Sequence, residues 1–189
     1  KMNRFEQKLW RLADGNVAVC DNDAKMVESA VHRPCAVVPN AVEMKGLYPL
    51  TYGQTHTAFF SGDLNYRQNR DAILWFIKEI APKVKAKIPD FKVLVLSNSR
   101  PTFIKEYHGL LEVVGDESTT FDSFVSVVGV FISPVRIKSG TNIKVLQAAV
   151  CGLPIVGTSS SFAGYDFEDR KDVLIADDPL NFSERVIEV

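Results

Sequence analysis

Between Ser133 and Ser159 the chain reads SPVRIKSGTNIKVLQAAVCGLPIVGTS. Its cations are Arg136, Lys138 and Lys144. Ser139, Gly140, Thr141 and Asn142 stand between them, and Gln147 follows Lys144 by three residues. The run VGVFISP (128–134) has the apolar, β-branched character of a buried strand, and NIKVLQAAV (142–150) is patterned as a helix. The small polar residues therefore open a helix, where backbone N–H groups lack intrahelical partners. Gly140 permits close backbone approach or a positive φ. Such a terminus attracts anions, its dipole contributing about 0.3–1 kcal/mol per charge. Beyond the cap, Lys144 and Gln147 are the helix's polar side chains and share a face. A lysine in so apolar a helix needs an anion or a path to water. Arg136 carries a planar fork suited to phosphate oxygens. Together these features describe a phosphate or diphosphate site. The competing reading is a helix capped by Asn142 with solvated cations at an edge. Neither a G-x4-G-K-[ST] loop nor a G-x-G-x-x-G loop is present.

A loop of this kind must be held by strands. Apolar runs recur at NVAVC (16–20), CAVVP (35–39), TAFFSG (57–62), KVLVLS (92–97), LEVVG (111–115), VGVFISP (128–134), LPIVGT (153–158) and DVLIAD (172–177). They have the look of strands buried on both faces. Between them the spacing predicts helices. One spans Arg70 to Ile88, with Ile73, Phe76, Ile77, Ile80, Val84 and Ile88 on one face and Pro82 kinking it. A second spans Pro101 to about His108, with proline in its first turn. A third covers Asn142 to Val150 and stops at Gly152, and the last begins at Pro179. Alternating strands and helices imply an α/β class with a doubly wound, Rossmann-like parallel sheet. Residues 42–57, VEMKGLYPLTYGQTHT, show no periodicity and carry Gly46, Pro49 and Gly53. They read as a linker between residues 1–41, too few for a domain, and a domain over 58–189. Ligands in open α/β sheets sit beyond the carboxyl ends of the strands. Gly62-Asp63-Leu64-Asn65, Ser97-Asn98-Ser99-Arg100 and Gly115-Asp116 therefore join the opening stretch.

The 189 residues carry a net charge of −1, so a nucleic-acid partner has no compositional support. No apolar run reaches the roughly 18–20 residues that cross a bilayer. Cys20, Cys35 and Cys151 are odd in number and set in apolar runs, as reduced cysteines of a cytoplasmic protein are. No C-x2-C metal spacing occurs.

Taken in order, VVPNAVE, FFSGDLNYRQNRDAILWFIKEIAPKVK, LEVVGDE, VFISPVRIKSGTNIKVLQAAVCGLPIVGTS and DVLIADDP resemble the nucleotide-sugar-binding half of retaining GT-B glycosyltransferases, often called family 4 or group 1. The resemblance implies hexosyl transfer from a UDP- or GDP-sugar, without cofactor or metal, of the kind used in polysaccharide biosynthesis. It places Gly62, Arg136, Gly140, Thr141 and Lys144 at the donor diphosphate. Ser139 and Gln147 stand at the sugar and ribose positions, and Gly115 and Asp116 in the nucleobase loop. It makes residues 1–41 a remnant of an acceptor domain whose larger part would precede them, with any peripheral membrane contact made through that part. The chain would then bind donor without transferring sugar alone. Lys138 departs from the family motif, which has glycine there. Ser139 and Gln147 stand where many members carry glutamates, so ribose would be bound neutrally, and charge-assisted bonds are about twice as strong.

Other features point elsewhere. Asp21-Asn22-Asp23 matches a D-x-D metal motif, but its place before a helix favours Asp21 or Asn22 as an N-cap. His32, His56 and His108 pair with no nucleophile. Asn65 and Arg70 are read as helix entry, Trp10 and Trp75 as core, and residues 166–171 as a solvated loop. A nucleotide-sugar epimerase would need acidic residues and a histidine near Lys144. A degenerate, non-catalytic nucleotide-sugar-binding or interaction module remains the alternative.

Overall fold

The computed structural model describes residues 4–43, 55–115, 120–137 and 140–189. Of the expected linker, residues 44–54 lie outside the described residues, as do Asp116, Lys138 and Ser139. The N-terminal part is α1 (Arg4–Leu12), β1 (Asn16–Ala18), α2 (Asp21–Val31) and β2 (Cys35–Val37). Among the described residues its two strands pair in parallel with each other alone. Ala18, Ala24, Val27 and Cys35 form a small core of their own, with Trp10 packed against it.

The main sheet takes β3 (Thr57–Ser61), β4 (Lys92–Leu96), β5 (Leu111–Val114), β6 (Val130–Ser133), β7 (Ile155–Gly157) and β8 (Leu174–Ile175). Its six strands are all parallel, in the order β5-β4-β3-β6-β7-β8. The alternation of side chains along each strand builds a core on both faces. Ala58, Phe60, Val93, Val95, Val130, Ile132 and Val156 point to one face. Phe59, Phe131 and Ile155 point to the other. The first face is covered by α3 (Arg67–Trp75), its continuation to Lys85, and α6 (Pro179–Glu188), whose Phe182 meets Trp75 and Phe76 edge-on. Over the second face lie a short helix at Phe121–Val127 and α5 (Ile143–Val150). The expected doubly wound Rossmann-like sheet is present.

Differences from the expected elements have local causes. The long helix holds a π turn at Phe76–Ile80 before α4 (Ala81–Lys85). Pro82 has no N–H to donate and its ring crowds the preceding turn. The chain widens instead, with the Ala81 N–H reaching back to the Phe76 carbonyl. Residues Thr102–Tyr107 form a 3₁₀ helix rather than an α-helix. The segment is only six residues long, and its Ile104 N–H bonds the Pro101 carbonyl three positions back. The Phe121–Val127 helix, also 3₁₀, has no counterpart among the elements expected from the sequence. At α2 the cap position falls on Cys20, so Asp21 and Asp23 sit in the first turn, where negative charge suits the helix dipole.

Candidate functional site

The strand order reverses between β3 and β6, the central pair, and chains leaving these two strands diverge to opposite faces. That divergence opens a crevice at their carboxyl ends. A cavity of about 300 Å³ lies there, lined among others by Gly62, Asp63, Asn69, Ser133, Thr141 and Lys144.

One wall is the turn from β3 into α3. The Gly62 N–H continues the ladder to the Leu96 carbonyl at 3.0 Å. A Cβ on Gly62 would stand 2.7 Å from Asn69 Nδ2, so glycine lets that amide lie over the turn and donate to the Asp63 carbonyl at 2.9 Å. The Asp63 carboxylate accepts from Ser99 Oγ at 2.5 Å and from the Asn65 N–H at 2.9 Å. Buried Ser97 ties this turn to the end of β4, accepting the N–H groups of Leu64 and Ser99. The Ser99 hydroxyl, then the Asn65 amide, hold the Asp63 carboxyl below the usual carboxylate range.

The second wall is the loop from β6 into α5. Its start is fixed by the Ser133 carbonyl, which accepts the Thr158 N–H at 3.1 Å and the Ser161 hydroxyl at 2.5 Å. The Thr158 hydroxyl donates to the Val135 carbonyl. Asn142 fixes its end: Oδ1 accepts the Lys144 N–H at 3.2 Å and Nδ2 donates to Ser133 Oγ at 2.9 Å. Asn142 thus caps α5, its side chain taking the Lys144 N–H and its carbonyl the Val145 N–H at 3.1 Å. Gly140 takes φ +55, the left-handed conformation that glycine adopts without strain. Lys144 is half-buried on the pocket wall with no ion-pair partner among the described residues. Burial lowers its pKa, because a desolvated ammonium is the costlier form.

Gly62, Gly140, Thr141 and Lys144 are therefore brought together. Arg136 is not on the lining: its guanidinium forks onto Asp71 of α3 and covers the Trp75 ring. Gln147 lies one turn beyond Lys144, and its Oε1 is buried without a hydrogen-bond partner. Gly115, at φ +126, ends β5, two strands from the pocket or roughly 10 Å. Its carbonyl accepts from Arg100 Nη2 at 3.3 Å. Asn69 and Asn40, which donates to Thr141, escaped the residue-level reading. The strand-end rule pointed at Ser99; nothing local singled out Asn69 or Asn40. His56 bonds Asp90 at 2.8 Å, Arg70 lies over Phe103 and Trp75 is core. Among the described residues no group of three or more His, Cys, Asp or Glu could hold a metal. None of their helices is long and apolar enough to cross a membrane.

Residues 55–189 match the family of glycosyl transferases group 1, and the chain belongs to that family. An uncharacterized 44.6 kDa protein in the cps region of Klebsiella pneumoniae is 20% identical over 181 residues, covering 89% of this chain and 44% of that protein. The chain thus spans less than half of that curated relative. TarM of S. aureus aligns with a TM-score of 0.82 at 13% identity, over 100% of this chain and 39% of TarM. HepE of Anabaena, in complex with UDP and glucose, aligns at 0.69 and 13% identity, over 96% of this chain and 57% of HepE. The pneumococcal O-GlcNAc transferase GtfA, in complex with UDP and GlcNAc, aligns at 0.69 and 12% identity, over 98% of this chain and 40% of GtfA. These likenesses establish the fold, that of the GT-B glycosyltransferases.

Proposed function

We propose that the chain is the donor-binding half of a retaining glycosyltransferase that takes a UDP- or GDP-sugar. The observation that carries this is Lys144: a half-buried ammonium with no ion-pair partner among the described residues, on a pocket wall formed by a helix N-terminus. The uncapped N–H groups around Gly140 and Thr141 would take diphosphate oxygens, Lys144 would supply charge, and Gly62 would leave room opposite them. UDP is the first base to test, since HepE and GtfA are similar chains crystallised with it. Ribose would meet Gln147, and the base the loop after β5. Transfer would need an acceptor half beyond the unit of α1, α2, β1 and β2. That unit leaves Val17 and Val38 67% and 58% exposed, as strands awaiting a covering layer do.

The second reading, a nucleotide-sugar-binding module without catalysis, is favoured by the neutral Gln147 and by Arg136 being engaged with Asp71. Calorimetry with UDP, GDP and ADP tests both. Binding of one nucleotide that is lost in Lys144→Ala supports the donor site. No binding at millimolar concentration, or binding indifferent to Lys144, overturns it. Donor hydrolysis by the full-length protein separates enzyme from module.

A further inference from the structure

Strand ends hold the phosphate loop on its sheet side, but Thr141 is reached from elsewhere. Asn40 Nδ2 donates to Thr141 Oγ1 at 2.5 Å across a separation of 101 residues. Asn40 follows β2, where the Val38 N–H still bonds the Ala18 carbonyl of β1, so it is carried by the N-terminal unit rather than the main sheet. Gly164, after β7 in the main unit, lies close to both the N-terminal unit and the same side chain. Gly164, at φ +91, would place a Cβ 2.7 Å from Thr141 Cγ2 and 3.1 Å from the Cβ of Cys20, the cap residue of α2. The Tyr165 hydroxyl is buried beside Asn40 and Thr141; burial raises its pKa, and the neighbouring Thr141 and Asn40 side chains act against that rise.

The chemistry of the contact has a direction. A threonine hydroxyl has one proton to donate and two lone pairs to accept with. Asn40 occupies a lone pair, so the hydroxyl proton is not spent on Asn40. Because Thr141 lines the pocket, that proton can be given to an anion there.

We infer that Asn40 is a positioning residue for the donor loop: it orients Thr141 as a hydrogen-bond donor and ties the loop's geometry to the seating of the N-terminal unit. This rests on the donor-site reading above. Through the Asn40–Thr141 bond, a shift of the β1–β2 unit would be transmitted to the ligand's hydrogen bonds.

The test is a double-mutant cycle on the whole chain, with UDP as the probe. Asn40→Ala is expected to weaken UDP binding about three- to tenfold, the effect of one neutral hydrogen bond. Thr141→Val should do the same, and the double variant should be no weaker than Thr141→Val alone. Amide hydrogen exchange at residues 140–144 should quicken in Asn40→Ala and in Gly164→Ala. Additive losses in the cycle overturn the inference whatever the exchange shows. If the unmodified chain binds none of UDP, GDP and ADP, the donor reading falls and exchange alone decides. Faster exchange in Asn40→Ala then keeps the positioning role, and unchanged exchange removes it.

Discussion

Arg136 forks onto Asp71, with Nη2 2.8 Å from Oδ1 and Nε 3.1 Å from Oδ2, while its guanidinium lies 4.9 Å from the centre of the Trp75 ring. A guanidinium so placed fastens the start of the β6–α5 loop to α3. Arg136→Ala is therefore expected to lower stability by about 1 kcal/mol, through a partly exposed ion pair and a cation–π contact. It should weaken nucleotide binding less than Lys144→Ala does. Denaturant unfolding and calorimetry on both variants check this. Equal losses of affinity would return Arg136 to the diphosphate.

Lys144 should behave in the opposite way. Its burial disfavours the charged form, so in the folded chain it loses its proton at lower pH than an ordinary lysine. The resulting penalty on folding is present in full below the lowered value and relieved as pH rises through it. Lys144→Met is expected to leave stability unchanged or raise it, while costing about tenfold or more in UDP affinity. An anion restores the charged form, so UDP binding by the unmodified chain should take up protons at alkaline pH. Calorimetry in buffers of different ionisation enthalpy reads that uptake, and a buffer-independent enthalpy would contradict it.

The Asp63 turn offers a carboxylate with the reverse sign. The Ser99 hydroxyl holds its pKa down, so it contributes stability above the ordinary carboxylate value and loses it as pH falls through the lowered one. Ser99→Ala should bring the Asp63 titration, followed by carboxyl NMR, back toward the usual range. It should cost about 0.5–1 kcal/mol at neutral pH. The stability difference should shrink in acid; a difference constant with pH would place the Ser99 contribution elsewhere.

Gln147 carries a buried acceptor without a partner. In Gln147→Glu that acceptor becomes a carboxylate. We expect a lower Tm for the free chain, because an unpaired charge is buried. UDP binding should tighten about fivefold if a ribose hydroxyl is the missing donor. Thermal unfolding with and without UDP separates the two effects. A lower Tm with no gain in affinity would detach Gln147 from the ribose.

The strands themselves were largely legible because parallel strands covered on both faces are continuous apolar runs; their order shows only in the folded sheet. Phe59, Phe131 and Ile155 reveal their alternating faces only once the sheet exists. The pocket wall was legible because its parts are local: Gly140, Thr141, Asn142 and Lys144 fall within five residues. Long-range commitments were not. Nothing near Arg136 announces Asp71, and nothing near Thr141 announces Asn40, since both partners come from segments the topology brings in later. The π turn was half legible. Pro82 marks where the helix must change, but the change can be a kink or a widened turn, and packing of Phe76, Ile77 and Ile80 decides.

The central pairing of β3 with β6 also sets a clock. Ala58 faces Val130, so closing that contact joins points about seventy residues apart. Contacts at such separation give little return until the intervening chain is ordered, which slows folding. The pocket needs both strands, Gly62 at the end of one and α5 leaving the other. On a ribosome it cannot exist until α5 has emerged, and nucleotide arriving before then would find a turn on one side and no wall on the other.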